Sequence, residues 1–512
     1  MMKQISQLLP ALDGYRLICP ADPRAAGRMA DRRVTALCCD SRKAGDASLF
    51  FCLPGAQADG HRYAPAAYRN GTRAFVVERE LELPDDALQI IVPDARTALA
   101  DASACFYEHP DREMTLIGIT GTKGKTTTAL LTAAVLNAAG RPTGYVGTNG
   151  IEFAGMHFPT VNSTPESVEI FRYLRYMLDS GVRTCVMEVS SQGLWKGRVR
   201  GLTFGITMFT NLSPDHVGGA EHPDFDHYMA CKHTLFTDYG TSLVLCQAND
   251  PHTDDMTRGV TAPILCFGVG PSVREAAWSA DGIAPAWRDG QPGVSFDCFR
   301  RGAPLGTHFL PLPGRFNVEN ALGALAVCCD GLGIRADEAL DSLGSVVVPG
   351  RFQTVTSDRL PGVTFVIDYA HNGVSLASIL DALREYRPGR LICLFGSVGG
   401  RTYGRRKDMA EAAAYRADLC ILTSDNPGPE DPMHVIREID EAFPADGCPR
   451  LLIPDREEAI RRAVSLARPG DLILLAGKGH ETYQLIGTRM VPFCEQDILR
   501  SAFGELSAAD RS

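Results

Sequence analysis

The stretch from Thr115 to Gly140, TLIGITGTKGKTTTALLTAAVLNAAG, decides the fold. Its first part, Leu116 to Thr120, is a short apolar, β-branched run of the kind that forms a buried strand. Its last part, from Ala129, carries apolar residues at helical spacing and ends on Gly140, where a helix-terminating glycine belongs. Between them lies Thr120-Gly121-Thr122-Lys123-Gly124-Lys125-Thr126-Thr127. A glycine-rich turn from strand to helix turns backbone N–H groups toward a polyphosphate, and the helix N-terminus adds positive partial charge. Lys125 is positioned to reach the β- and γ-phosphates and Thr126 to offer its hydroxyl to Mg²⁺. One position departs from the usual pattern: Ile119 stands where a glycine is expected, with Gly118 and Gly121 on either side.

Outward from this loop, apolar strands recur as TCVMEV, ITMFTNL and SLVL, with helical segments between them. That alternation predicts a parallel sheet with helices on both faces, an α/β fold. The segment before Arg112 reads as a small α/β domain, with strands at AFVV and QIIV. Residues from about 263 to 310 read as a β-rich excursion at a sheet edge. After Val346-Val-Val-Pro-Gly-Arg-Phe352 a second α/β series begins, with strands TFVID, LICLFG, LCILT, LLIP and DLILLAG. The expected division is into domains 1–112, 113–347 and 348–512, the central one a phosphate-loop ATPase sheet and the last Rossmann-like.

Composition sets the boundaries of function. At 512 residues the chain exceeds one compact core. A net charge of −10 disfavours a general nucleic-acid binder, which needs a basic surface. No apolar run reaches membrane-span length, and the N-terminal residues make a poor signal peptide. The sixteen cysteines are scattered, with no C-x-x-C pair, and read as reduced core thiols. A cytoplasmic location and a monomer acting on small molecules are expected.

Individual residues carry chemistry. Glu188 ends a strand near the phosphate loop, a suitable place for a Mg²⁺ carboxylate; the plain alternative is a solvated strand-end charge. Asp215-His216 follows another strand end, and His216 suits either a metal or a structural hydrogen bond. Tyr228, Lys232 and Phe236 share one helical face, where a lysine is usually a snorkelling side chain.

Taken together, TGTKGKTTT, EVSSQGLWKGRV, FTNLSPDH, YMACK, LPGRFNVENALGA, VPGRFQ, IDYAHN, SDNPGPEDP and LLAGKGHETYQ resemble the Mur ligases, in order and along essentially the whole chain. The N-terminal DSRKAGDASLFFCLPGAQADGHRYAPAA is similar to their uridine-binding domain. The likeness is greatest to the member that adds the third peptide residue. It implies ATP-dependent ligation of an amino acid to the glutamate carboxylate of UDP-MurNAc-L-Ala-D-Glu through an acyl phosphate, in peptidoglycan precursor synthesis. It also implies two Mg²⁺ sites, with Thr126 and Glu188 at the first and His216 near the second, where a carbamylated Lys232 helps. Asn320, Arg351, Asp368 and His371 match positions that hold adenine, ribose and phosphates; on their own, Arg351 and Asp368 suit an interdomain salt bridge. Ser41, Ser163, Thr164, Ser190 and Arg198 match contacts to the UDP-muramoyl substrate, although Gln192 and Lys196 depart from the common residues there. Arg401, Asp425, Asn426, Gly477 and Glu481 match the acceptor pocket. Gly428 stands where diaminopimelate-adding members carry arginine, which favours L-lysine over meso-diaminopimelate or ornithine, with Arg405 or Arg406 as other sources of charge. The readings from other classes are a phosphate-loop kinase and a non-catalytic nucleotide-binding scaffold.

Overall fold

The protein, described here as a computed structural model, is traced over residues 1–18, 23–55, 58–215, 217–218 and 221–506. His216 lies outside the described residues. The chain divides into two compact units, one of Met1–Phe267 with Gly323–Ala339, the other of Gly268–Leu322 with Leu340–Ser512.

The first unit contains a two-stranded pair, Lys3–Gln4 with Arg33–Val34, and two larger sheet regions. A five-stranded sheet runs in the order Arg16–Ile18, Leu88–Ile91, Ala74–Val77, Ser48–Phe51, Ala36–Cys38, parallel except for its first pair. The larger sheet has a parallel core ordered Thr143–Gly147, Thr184–Glu188, Thr115–Thr120, Ile206–Phe209, Leu243–Gln247, Ile264–Val269. Its strands are buried on both faces, so they read as continuous apolar runs instead of alternating ones. The phosphate-loop strand is central. Glu188 pairs in register with Ile119 on one side, and Phe209 with Thr120 on the other. Three C-terminal strand ends therefore meet where the chain leaves the sheet, the crevice in which open α/β sheets bind ligands.

In the second unit, Trp278–Arg288, Gln291–Arg300 and Ala303–Leu310 form an antiparallel meander, the β-rich excursion expected from sequence. A second sheet is ordered Gln353–Val355, Thr364–Asp368, Asp471–Ala476, Arg390–Phe395, Leu419–Leu422, Arg450–Leu452, parallel except for its first pair. The five anticipated strands are all present. A hairpin of Tyr483–Ile486 and Arg489–Pro492 follows, which the sequence reading missed.

Candidate active site

The phosphate loop joins the strand Thr115–Thr120 to the helix Lys125–Ala138. Ile119 occupies the strand interior, so the glycine requirement falls on Gly121. Its φ is +149°, and a Cβ there would lie 2.0 Å from Thr210 Oγ1. Lys125 Nζ curls back over the loop and donates to the carbonyls of Gly121 at 2.7 Å and Thr122 at 3.0 Å. Lys123 pairs with Asp215 at 3.1 Å, and its backbone N–H donates to Asn211 Oδ1 at 2.8 Å.

Thr126 Oγ1 donates to Glu188 Oε2 at 2.9 Å, and both residues are buried. Glu188 also accepts from the Tyr145 hydroxyl at 2.5 Å and from the Thr148 amide at 2.8 Å. A carboxylate and a hydroxyl, both hard oxygen donors, thus stand together at the first turn of the loop helix. That donor set fits Mg²⁺.

Lys232 lies on the helix Phe225–Thr237 and is 1% exposed. Its Nζ donates to Gly121 O at 2.8 Å, the carbonyl that Lys125 also uses, and lies 4.5 Å from the Tyr228 ring centre. Burial, then the neighbouring Lys125 cation, hold its ammonium well below the usual lysine range. It is no snorkelling side chain. Tyr228 OH meets Thr122 Oγ1 at 3.0 Å, which ties this helix to the loop.

Beside the same strand end, Thr164 Oγ1 donates to Glu188 O, and Ser190 caps the helix Ser191–Trp195. Arg198 donates to Glu166 Oε1 at 3.0 Å and to Thr164 O at 3.1 Å; Arg96 approaches Glu166 at 3.4 Å. Burial, Arg198 and Arg96 lower the Lys196 ammonium, so this patch concentrates positive charge around one glutamate. Ser163 is half-buried in the preceding loop, and Ser41 opens the short helix Ser41–Lys43 in the first sheet's domain.

In the second unit, Asp425 is 1% exposed, and neither carboxylate oxygen has a hydrogen-bond partner. Burial raises it above the ordinary carboxylate range against the pull of Arg456 and Lys478. A Cβ on Gly477, whose φ is +113°, would stand 2.7 Å from Asp425 Oδ2, so glycine keeps that carboxylate open. Lys478, fully buried, donates to Glu481 Oε2 at 2.6 Å and Asn426 Oδ1 at 2.8 Å, and lies 3.9 Å from Asp425. Asn426 Nδ2 also donates to Glu481 Oε2. Arg401 is exposed on the loop before the helix Tyr403–Ala414.

Nearby, Asp368 accepts from the amides of Phe352 at 3.0 Å and Ala370 at 2.8 Å. Its carboxylate is held by backbone, not by a salt bridge with Arg351, whose buried Nε has no partner and whose guanidinium lies 5.0 Å from the Tyr369 ring centre. Arg351 and Asp368 belong to one unit, so the interdomain-bridge reading of this pair does not hold. His371 Nδ1 meets Tyr369 O at 2.7 Å, and Asn320 bonds to Asn317 on the helix Arg315–Leu325.

Three family profiles match in order: Mur ligase family, catalytic domain, over 33–107; Mur ligase middle domain, over 119–328; and Mur ligase, glutamate ligase domain, over 350–479. The UDP-N-acetylmuramoyl-L-alanyl-D-glutamate–2,6-diaminopimelate ligase of Geobacter metallireducens is 38% identical, covering 95% of this chain and 97% of its own. The ligase of the same name from Caldanaerobacter subterraneus subsp. tengcongensis is 37% identical over 92% and 95%.

The chain belongs to the Mur ligase family.

It is accordingly an ATP-dependent peptide ligase. A solved ligase of the same diaminopimelate-adding description superimposes with a TM-score of 0.66 at 26% identity, covering 98% of this chain and 99% of its own. MurF of Thermotoga maritima in complex with ADP shares the fold alone, with a TM-score of 0.59 at 17% identity over 91% and 96%.

For this Mur ligase, the structure gathers Thr120 to Thr127, Glu188, Lys232, Thr164 and Ser190 at one crevice. Asp425, Asn426, Gly477 and Glu481 gather at another, within the second unit. Arg406 is closed to a substrate: it is 1% exposed and paired with Glu430 and Glu438. Arg405 donates to His371 O at 2.9 Å. Sequence reasoning missed Lys478. Its only signal was a lysine between two glycines in the acceptor motif.

Proposed function

We propose that this enzyme joins a diamino acid to the glutamate carboxylate of UDP-MurNAc-L-Ala-D-Glu, with ATP activating that carboxylate as an acyl phosphate. The observation that carries the reading is the convergence of a Mg²⁺-type Thr126–Glu188 pair and a buried lysine amine on one phosphate loop. The names of the relatives support the nucleotide-dipeptide substrate. The reading rests on three domains, 1–112, 113–347 and 348–512, supported by one separate sheet or parallel core in each and by the three family profiles.

Lys125 and the loop amides hold the transferred phosphoryl group; Mg²⁺, when bound by Thr126 and Glu188, neutralises charge on the phosphoryl oxygens. Asn320, Arg351, Asp368 and His371 take the rest of the nucleotide. Ser41, Ser163, Thr164, Ser190 and Arg198 hold the UDP-muramoyl peptide, whose anionic groups suit the cationic patch at Arg96, Lys196 and Arg198. Lys232 is the carbamylation site. Its lowered proton affinity favours the free amine that attacks CO₂, forming the N–C bond and releasing a proton to solvent, and the carbamate oxygens would serve a second Mg²⁺ for which His216 is the other expected ligand. Asp425 receives the acceptor's ammonium, the partner that its bare carboxylate lacks, and Arg401 its carboxylate. With this goes a cytoplasmic monomer working on small molecules.

Lysine is supported by Gly428, which carries no charge, and by Arg406, which is already paired with Glu430 and Glu438; Arg405, within electrostatic reach of Asp425, is the alternative source of charge for a distal carboxylate. The relatives' names favour the second reading, meso-diaminopimelate. Phosphate release from ATP with UDP-MurNAc-L-Ala-D-Glu, offering lysine, ornithine or meso-diaminopimelate in parallel, decides between them. Release that responds to none of the three overturns the ligase reading of this substrate. Incorporation of ¹³C-bicarbonate at Lys232, absent in Lys232→Arg, tests the carbamate.

A further inference from the structure

One side-chain cluster among the described residues is left unused by this chemistry. His222 lies in the loop before the helix Phe225–Thr237, and His227 and Cys231 follow on that helix at i and i+4, on one face. Their donor atoms all lie within 4.8 Å of one another. His222 Nδ1 and His227 Nδ1 are 2.9 Å apart, and Cys231 Sγ is 3.7 Å from His227 Nδ1. With Zn–N near 2.0–2.1 Å and Zn–S near 2.3 Å, a tetrahedron has N–N and N–S edges of about 3.3 and 3.6 Å. Two edges therefore stand close to those of one tetrahedral face, and the third, from His222 to Cys231, is within 4.8 Å. Without a metal, a His222–His227 hydrogen bond and an S–H contact from Cys231 to the His227 ring hold the three donors at these spacings.

The surroundings orient the donors. His222 is fully buried, and its Nε2 lies 2.9 Å from Oγ of the buried Ser191. With Nε2 protonated and donating to that hydroxyl, Nδ1 turns its lone pair to the cluster. Asp224 Oδ1 accepts the His227 amide at 2.7 Å and fixes the start of the helix.

We propose that His222, His227 and Cys231 form a site for a borderline-soft divalent cation of the zinc class, distinct from the oxygen pair at Thr126 and Glu188. Binding breaks the Cys231 S–H bond, sends the proton to solvent and forms a metal–thiolate bond; water fills the fourth position at the half-exposed edge of His227. Because Cys231 precedes Lys232, occupancy pins the turn that carries the buried amine at the phosphate loop.

Cobalt(II) is the probe. The metal-free full-length protein, in excess Mg²⁺, is expected to take up about one Co²⁺ with a thiolate-to-cobalt charge-transfer band and strong four-coordinate d–d bands, both erased by Zn²⁺. The Trp195 ring lies 5.3 Å from His222 and 5.1 Å from His227, so Co²⁺ should quench its fluorescence in wild type but give the same absorption in Trp195→Phe. Cys231→Ser should lose the charge-transfer band, and His227→Gln about 10-fold or more in affinity. Circular dichroism confirms that each variant folds. Other thiols lie close together, Cys246 with Cys266 at 3.0 Å and Cys420 with Cys448 at 3.5 Å. A band that survives Cys231→Ser would place the metal there and overturn the proposal, as would wild-type protein with no charge-transfer band at all.

Discussion

Replacing Lys478 by methionine tests the reading of the second unit most directly. The ammonium is fully buried and holds Glu481 at 2.6 Å and Asn426 at 2.8 Å, with Asp425 at 3.9 Å. Methionine keeps the volume and removes the lysine that, among the described residues, faces both carboxylates. Breaking a buried pair by deleting one partner costs about 3–5 kcal/mol, because the other charge stays buried. The Glu481 side chain is 13% exposed and keeps its bond from Asn426, which pulls the expectation toward about 3 kcal/mol. At about 2–4 °C per kcal/mol for a domain of this size, the C-terminal melting transition should fall by about 6–12 °C. The sign with pH follows from Asp425, which burial raises and Lys478 pulls down. Without the cation it rises further, so the stability its protonated form allows is present at low pH and lost as pH rises. The gap between Lys478→Met and wild type should therefore widen from about pH 5 to about pH 8. Adding Glu481→Gln to Lys478→Met should recover about half of the loss. Melting followed by circular dichroism at both pH values is the assay. A single-variant shift under about 2 °C, or a gap that narrows toward alkaline pH, would refute the claim that Lys478 neutralises this pocket.

Asp425→Asn should raise the melting temperature at neutral pH by a few degrees, since burial already works against its charge, and should abolish acceptor-dependent phosphate release. That stability gain should disappear in acid, where the native Asp425 carries a proton. Thr126→Val should cut turnover roughly 100-fold or more and raise the Mg²⁺ requirement, whereas Thr126→Ser, which keeps the hydroxyl to Glu188, should stay near wild type in a Mg²⁺ titration. Lys125→Ala should lower kcat/KM for ATP by roughly 100- to 1,000-fold without lowering the melting temperature of the ligand-free enzyme, because the bonds it gives up to the Gly121 and Thr122 carbonyls are offset by relief of its repulsion of the buried Lys232. A Cβ at Gly428 would meet only Leu485 at 3.9 Å, so Gly428→Arg should fit at a backbone cost of roughly 1–2 kcal/mol. It should shift the kcat/KM ratio toward meso-diaminopimelate over lysine by roughly 10-fold.

Strands of a parallel sheet are covered on both faces, so TLIGIT, TCVME, ITMF and the five runs of the second sheet announce themselves as apolar blocks, and the phosphate loop is legible because its geometry demands glycine at fixed points. The hairpin Tyr483–Pro492 is not, for its second strand is exposed along its length, so Met490 and Val491 face water and show no buried alternation. Charged residues are legible only as far as their partners are local. Lys125 and Thr126 are read correctly because strand, loop and helix are contiguous. Arg406 looks like a spare cation beside the acceptor motif until Glu430 and Glu438, 24 and 32 residues away, close on it. Lys478 looks like a flexible loop lysine until Asn426, 52 residues earlier, arrives at the end of another strand. In both crevices the decisive pairings join the C-terminal ends of strands far apart in sequence, as Thr126 joins Glu188 across 62 residues. Strand order is what brings such ends together, and strand order is set by right-handed crossovers and packing, not by any local residue pattern. A lone lysine or histidine near a motif therefore keeps two readings until the sheet is assembled. Lys232 shows the consequence: the same side chain is a surface cation if its helix faces water and an amine of much lowered proton affinity once that face closes on Gly121 and Lys125.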